Sequence, residues 1–152
     1  YDIWESITSV VFGAEQRLEA NNIQISGFAP TKTLVLADQD LVYQVIYNLV
    51  NNAINYTGDD KQIWVRQIVR EDGYVRIEVT DSGEGIAPEA LPYVWDRYYK
   101  VDKTHKRAVM GTGLGLSIVK NILELHDARY GVESEVGKGS TFWFELKVYQ
   151  IV

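Results

Sequence analysis

The sequence predicts a two-layer α/β (α+β) sandwich, in which about three helices pack on one face of a mixed β-sheet. Three observations lead to this fold class. Apolar residues recur at helical spacing in three separate segments. Runs rich in β-branched and aromatic residues lie between and after these segments, as is typical of strands. One pair of such runs is joined by Glu71-Asp72-Gly73, a hairpin turn signal.

The first quarter of the chain is predicted to form one helix and two short strands. Residues 2–20 have apolar side chains at helical spacing, and the pair Asn21-Asn22 that follows predicts the end of an amphipathic helix. Residues 23–28 and 33–37 are strand candidates because apolar residues predominate on either side of a turn at Pro30.

The second helix and a hairpin come next. Either Asp38 or Asp40 can cap a helix that runs to about Tyr56. The hairpin strands are predicted over residues 62–69 and 74–80, on either side of the turn signal.

The last third begins without clear periodicity. Residues 82–110 hold two prolines and clustered charge, which predicts a functional lid, expected over about residues 87–110, or a disordered segment. A third helix is predicted over residues 114–125. Strands over 130–135 and 141–148 are expected to close the chain around a Gly-Lys-Gly turn.

Composition limits the class of protein. The 152 residues are 46% hydrophobic and 24% charged, which suits one globular domain over residues 1–152. The net charge of -6 and the lack of a basic stripe argue against nucleic acid as a partner. The longest apolar runs fall short of the roughly 18–20 residues of a membrane span. Because the chain starts at Tyr1 and carries no signal peptide, we expect it to be a fragment of a longer protein.

The second predicted helix carries an unusual polar face. Asn is a poor helix former, each one costing up to about 0.7 kcal/mol against Ala. Neutral amides can offer oxygen to a hard cation, and two of them one turn apart can converge on one ion. A solvated face is the alternative, although such faces usually carry Lys and Glu. The amides that share one arc are Gln44, Asn48, Asn51, Asn52 and Asn55.

Two glycine motifs lie at the two ends of the segment that lacks clear periodicity. Residues 80–86 read TDSGEGI and follow a strand, so an aspartate at the strand end could read an adenine amino group. Residues 111–117 read GTGLGLS and open a helix, whose exposed N–H groups can hold an anion. An ordinary turn and a hinge are the alternatives. Neither the dinucleotide pattern nor the Walker A pattern fits the glycine spacing.

Taken in order, these motifs resemble the GHKL ATP-binding domain of sensor histidine kinases. The F box is written here with Trp95 and Tyr98 in place of the usual phenylalanines. The resemblance covers essentially the whole chain and implies a GHKL, or Bergerat-type, ATP-binding fold. The matching segments are the N box at 48–53 with 56–57, the first glycine box at 81–86, the F box at 94–100, the second glycine box at 111–120, and the closing strands at 132–134 and 137–142.

The resemblance implies ATP and Mg²⁺ as ligands. Asp81 would bind the adenine amino group, helped by Thr141 through water, and Asn48 and Asn52 would coordinate Mg²⁺. With Lys100, these two asparagines would be the catalytic residues. The adenine pocket would be shaped by Tyr56, Gly83, Gly85 and Ile86. The remaining nucleotide contacts would come from Tyr99, Lys100, Gly111, Thr112, Gly113, Leu114, Gly115 and Leu116.

Two positions depart from the family pattern. Asn55 stands where the family usually has Lys or His, which puts one phosphate contact in question. His126-Asp127-Ala128 replaces the usual His-Gly-Gly, and we expect this change to affect only a turn.

The resemblance also implies the activity and the partners. The domain would donate the ATP γ-phosphoryl group to a histidine on a separate dimerisation domain of the same kinase, which would in turn serve a response regulator. We expect the fragment to be monomeric and cytoplasmic and to make no membrane contact. We expect the parent kinase to be homodimeric, and the sequence leaves open whether it is anchored in the cell membrane.

Two other functions remain open. A GHKL-type ATPase would place a Glu at the position of Asn48 to activate water, and an amide cannot act as that base. A regulatory nucleotide-binding module without catalysis is the second alternative, although no box is broken here.

Overall fold

The computed structural model describes residues 1–20, 24–26, 33–56, 62–95 and 115–149. None of the helices in these ranges is long and apolar enough to cross a membrane. The elements, in chain order, are α1 (Ile3–Gly13), α2 (Glu15–Ala20), β1 (Gln24–Ser26), α3 (Gln39–Tyr56), β2 (Gln62–Val69), β3 (Tyr74–Asp81), a 3₁₀ turn (Leu91–Tyr93), α4 (Gly115–Leu125), β4 (Arg129–Glu135) and β5 (Gly139–Lys147).

The strands form one mixed sheet in the order β1-β2-β3-β5-β4. β1 runs parallel to β2, and the other three pairs are antiparallel. α3 packs on β3, and both α1 and α4 pack on α3. The predicted fold class, helices layered on one face of a mixed sheet, is therefore confirmed.

Alternation along β3 separates the two faces of the sheet. Val75, Ile77 and Val79 are buried in the core beneath the helices. The residues between them are only partly buried and lie on the outer face, away from the helices. By the same alternation, the last residue of the strand, Asp81, points to the helical side. This places a carboxylate at the end of the core rather than in solvent.

Two predicted elements differ from those observed. The helix predicted over residues 2–20 is two helices, interrupted at Ala14 immediately after Gly13, which is the weakest helix former in the segment. Residues 33–37 form no strand but make isolated bridges, Asp2 with Leu34 and Val35 with Val148. Tertiary pairing with the chain ends, rather than local propensity, orders this segment.

The N-terminus of α3 is joined to the C-terminus of α4. Asp38 caps α3, its Oδ1 accepting from Leu41 N–H at 3.0 Å, which confirms one of the two predicted caps. The Asp38 N–H donates to His126 Nε2 at 3.0 Å, so the Nδ1 of His126 donates to the carbonyl of Ile122 at 2.8 Å. Asp127 follows at φ 52°, the left-handed conformation that glycine usually supplies. The departure from His-Gly-Gly thus affects a turn.

The segment after the first glycine motif packs on the sheet. Ala87 and Ala90 are buried. Trp95 makes edge-to-face contacts with Tyr130 and Phe142, with ring centroids 5.2 and 5.5 Å apart. Residues 87–95 therefore pack on the sheet in this structure, through contacts with distant strands that local periodicity cannot reveal. The remainder of the predicted lid, residues 96–110, lies outside the described residues.

Candidate functional site

Asp81 ends β3 at the helical side of the sheet and is only 1% exposed. Its Oδ1 atom accepts a hydrogen bond from the N–H of Gly83 at 2.9 Å. This bond holds the carboxylate in a fixed orientation at the start of the first glycine motif. A buried carboxylate held in this way can accept a further hydrogen bond from a ligand N–H group.

The turn after Asp81 is fastened to the hairpin between β4 and β5. The Ile86 N–H donates to Ser134 Oγ at 2.7 Å, and the Gly137 N–H donates to the Glu84 carbonyl at 2.7 Å. Gly85 has φ 78°, and a Cβ there would lie 2.8 Å from the carbonyl carbon of Glu135. Glycine is thus required both by the backbone conformation and by the close approach of the hairpin.

The register between β3 and β5 corrects the expectation for Thr141. Asp81 pairs with Ser140, and Thr80 pairs with Thr141. The hydroxyls of Thr80 and Thr141 are 2.8 Å apart on the outer face. Since neighbouring residues of a strand point to opposite faces, Thr141 points away from Asp81 and is not placed to assist it. Ser140, which is 2% exposed, occupies that place.

The amide face of α3 is present as predicted from the helical spacing. Asn48, Asn51 and Asn52 are partly exposed, and Gln44 and Asn55 are exposed. The Nδ2 atom of Asn52 is buried and has no hydrogen-bond partner among the described residues. The opposite side of α3 is buried in the core, namely Val42, Val45, Ile46, Leu49, Val50, Ala53 and Ile54.

The second glycine motif is described only at its end. Gly115 opens α4 and is exposed, and within the part of the chain that the structure describes no atom lies within 4 Å of the position where its Cβ would be. Leu116 is partly buried against the core. Tyr56 ends α3, and its side chain lies outside the description. The other predicted nucleotide contacts, which also lie outside the described residues, are Tyr99, Lys100, Gly111, Thr112, Gly113 and Leu114.

The F-box tryptophan rests on the strand that follows α4. Trp95 contacts Tyr130, whose hydroxyl donates to Glu124 Oε1 at 3.0 Å. Burial is the main cause that raises the pKa of the Tyr130 hydroxyl above its ordinary value, and the hydrogen bond to Glu124 raises it further. The hydroxyl therefore stays neutral at physiological pH and remains a donor.

The fold brings the described motifs around α3. The helix with the amide face packs on β3, which ends in Asp81, and on α4, which begins at Gly115. Two hydroxyl residues near Asp81, Ser134 and Ser140, were not singled out from the sequence. The sequence gives only a weak signal for these two serines, because strand pairing alone shows that both side chains point to the helical side.

Comparison with known proteins gives a consistent result. Residues 37–150 match the family described as histidine kinase-, DNA gyrase B- and HSP90-like ATPases. The sensor-like histidine kinase SenX3 of Mycolicibacterium smegmatis is 40% identical over 147 residues, which cover 94% of this chain and 38% of SenX3. This chain thus spans well under half the length of such curated relatives, and only 20% of another.

Solved structures share the fold. The nucleotide-free catalytic domain of the histidine kinase ThkA aligns with a TM-score of 0.81 at 30% identity, covering 97% of this chain and 93% of that one. Full-length ShkA in complex with AMPPNP aligns with a TM-score of 0.82 at 28% identity, covering 99% of this chain and 31% of that one.

Proposed function

Because the chain belongs to the family of histidine kinase-, DNA gyrase B- and HSP90-like ATPases, we propose that it is the ATP-binding catalytic domain of a sensor histidine kinase. Residues 1–152 would be one domain of a longer protein. The domain would donate the ATP γ-phosphoryl group to a histidine on a separate dimerisation domain of that protein. A response regulator would then receive the phosphoryl group. Since ATP is the donor, the domain would work in the cytoplasm.

The observation that carries this proposal is the setting of Asp81. Its carboxylate is buried, fixed by the Gly83 N–H and followed by a glycine turn in which Gly85 lies against the backbone of Glu135. A carboxylate so placed accepts hydrogen bonds and donates none, so it suits the amino group of adenine. Ser140, paired with Asp81 across the sheet, takes the assisting role first expected of Thr141.

The amide face of α3 favours phosphoryl transfer to a protein over hydrolysis. Residues 44–55 contain no acidic side chain. An amide such as that of Asn48 cannot remove a proton from water, so the domain would lack the general base that an ATPase needs. Phosphoryl transfer requires mainly positioning and charge neutralisation, and the base that activates the acceptor can lie on the acceptor's own domain.

The residues present on this face fit a magnesium ion whose other ligands come from phosphates. Asn48 and Asn52 lie one turn apart, and the buried Nδ2 of Asn52 has no partner among the described residues. Turning that amide over would present oxygen without a change of shape. Asn48 and Asn52 would therefore hold the ion, and bound Mg²⁺ would neutralise phosphate charge. Lys100, Tyr99 and residues 111–116 would contact the phosphates.

Binding is tested with Asp81→Asn. The substitution keeps the shape but replaces one acceptor oxygen by a donor, so a charge-assisted hydrogen bond is lost. Such a bond is worth about 1.5–3 kcal/mol, which corresponds to about ten- to a hundredfold in the Kd for ATP by calorimetry. Asp72→Asn is the matched control, because that aspartate is exposed and bonds only Arg129 among the described side chains. Equal affinities for both variants would refute the role of Asp81.

Transfer is tested with radiolabelled ATP. The chain by itself should gain no acid-labile label, because its two histidines, His105 and His126, are not the proposed acceptor. Both ring nitrogens of His126 already form hydrogen bonds. Adding the histidine-bearing domain in trans should produce label on that domain, weakly, since the tether that raises effective concentration is missing. Label on His105 or His126, or rapid release of inorganic phosphate, would contradict the proposal.

A further inference from the structure

The hydroxyl of Ser134 is the centre of three hydrogen bonds beside Asp81. It accepts from the Ile86 N–H at 2.7 Å, donates to the Gly139 carbonyl at 2.9 Å, and lies 2.8 Å from Ser140 Oγ. Ile86 is 3% exposed and Ser140 is 2% exposed, whereas Ser134 itself is partly buried. The hydroxyl therefore links the glycine turn to the two closing strands.

These three contacts fix where the protons lie. A serine hydroxyl has one proton to donate and can accept two hydrogen bonds. The carbonyl of Gly139 can only accept, so the Ser134 proton points to it. The Ile86 N–H can only donate, which uses one lone pair of Ser134. All three contacts are satisfied together only when Ser140 donates its own proton to Ser134.

This direction leaves Ser140 with lone pairs only. Ser140 pairs with Asp81 across the sheet, and both point to the helical side. Resting on the proposed nucleotide function, we propose that Ser134 is a positioning residue for nucleotide specificity. Because Ser134 accepts the hydrogen bond from the Ser140 hydroxyl, only the lone pairs of Ser140 face the site, and Ser140 becomes an acceptor beside the acceptor Asp81. Two adjacent acceptors favour the 6-amino group of adenine, directly or through water, and disfavour a 6-oxo group.

The test compares ADP with IDP, whose purines differ at position 6, which is amino in ADP and oxo in IDP, and at N1, which is an acceptor in ADP and an N–H donor in IDP. The wild-type chain should prefer ADP. In Ser134→Ala the hydroxyl of Ser140 loses its acceptor, and its O–H can turn towards the nucleotide. The ratio of the Kd for IDP to the Kd for ADP should therefore fall about five- to tenfold, which corresponds to the free energy of one neutral hydrogen bond. Ser134→Thr keeps the hydroxyl and should restore the ratio. Ser140→Ala should lower the ratio by itself, and adding Ser134→Ala to it should change nothing further.

A matched control separates specificity from stability. Thr33 is buried, and its hydroxyl accepts from Gln67 Nε2 at 2.8 Å. Gln67 pairs with Ile77, four positions along β3 from Asp81. Thr33→Val removes this hydroxyl at nearly constant shape, so it should lower the thermal midpoint without altering the ADP to IDP ratio.

The outcomes distinguish this inference from the function on which it rests. If Asp81→Asn weakens ADP binding but Ser134→Ala and Ser140→Ala keep the wild-type ratio, the nucleotide site stands and the inference is wrong. A wild-type chain that binds neither nucleotide would refute both. If Ser134→Ala does not fold, an unchanged ratio in Ser140→Ala is enough to overturn the inference.

Discussion

Gly139→Ala is the substitution whose effect can be worked out most directly from the structure. Gly139 opens β5 at φ 94°, and an added Cβ would lie 3.0 Å from the carbonyl carbon of Asp81 and 3.1 Å from the Cα of Ser82, with the Asp81 carbonyl oxygen closer still. The backbone conformation costs Ala about 1–2 kcal/mol. Because all three neighbours are backbone atoms that cannot rotate away, overpacking adds about 1–3 kcal/mol.

The chain supplies its own control for this prediction. Gly137 has nearly the same φ, 85°, but no atom of the described residues lies within 4 Å of its added Cβ. Gly137→Ala should therefore show only the conformational cost. We expect urea unfolding to place Gly139→Ala about 1–3 kcal/mol below Gly137→Ala. Relief of the clash should also displace Asp81, so Gly139→Ala should bind ADP more weakly than the control does. Equal stability and equal affinity would refute the steric argument.

Three further predictions concern the metal, the outer face of the sheet and pH. Asn52→Ala should weaken ATP binding far more in Mg²⁺ than in EDTA, whereas Asn51→Ala should not; an equal loss in both buffers would mean that the amide is structural. Glu145 is 4% exposed and forms ion pairs with Arg70, Arg76 and Arg129 at 3.3–3.7 Å. Glu145→Ala should therefore lower the free energy of unfolding by about 1–3 kcal/mol. A urea midpoint equal to that of the wild type would contradict this. The hydrogen bond from Arg129 lowers the pKa of the Asp72 carboxyl, so its stabilisation is present above the ordinary pKa and is lost as pH falls through the lowered value. Urea midpoints between pH 7 and about pH 3 should thus fall slightly less in Asp72→Asn than in wild type.

Much of the fold follows from local pattern. The amide arc of α3 was predicted from spacing alone, and the structure buries the opposite side of that helix. The hairpin was predicted from its turn, and Gly73 indeed adopts φ 86° there. Both features depend on residues close together in the chain, and that is why a single sequence predicts them.

Features that depend on distant partners could not be predicted in this way. The packing of Trp95 needs strands that follow it by more than thirty residues. The bond between His126 and the Asp38 N–H joins residues 88 positions apart. Neither contact has a local signature, because the side chains could equally well be solvated in another fold.

By itself, the sequence determined the fold class, the order of the motifs and the aspartate at the end of β3, because composition, periodicity or glycine spacing predicts each of them. Only the tertiary structure decided which hydroxyl accompanies that aspartate. Ser140 and Thr141 are adjacent and chemically alike, and the motif favours neither. The pairing of Asp81 with Ser140 turns one towards the helices and the other outward, since successive side chains of a strand point to opposite faces of the sheet.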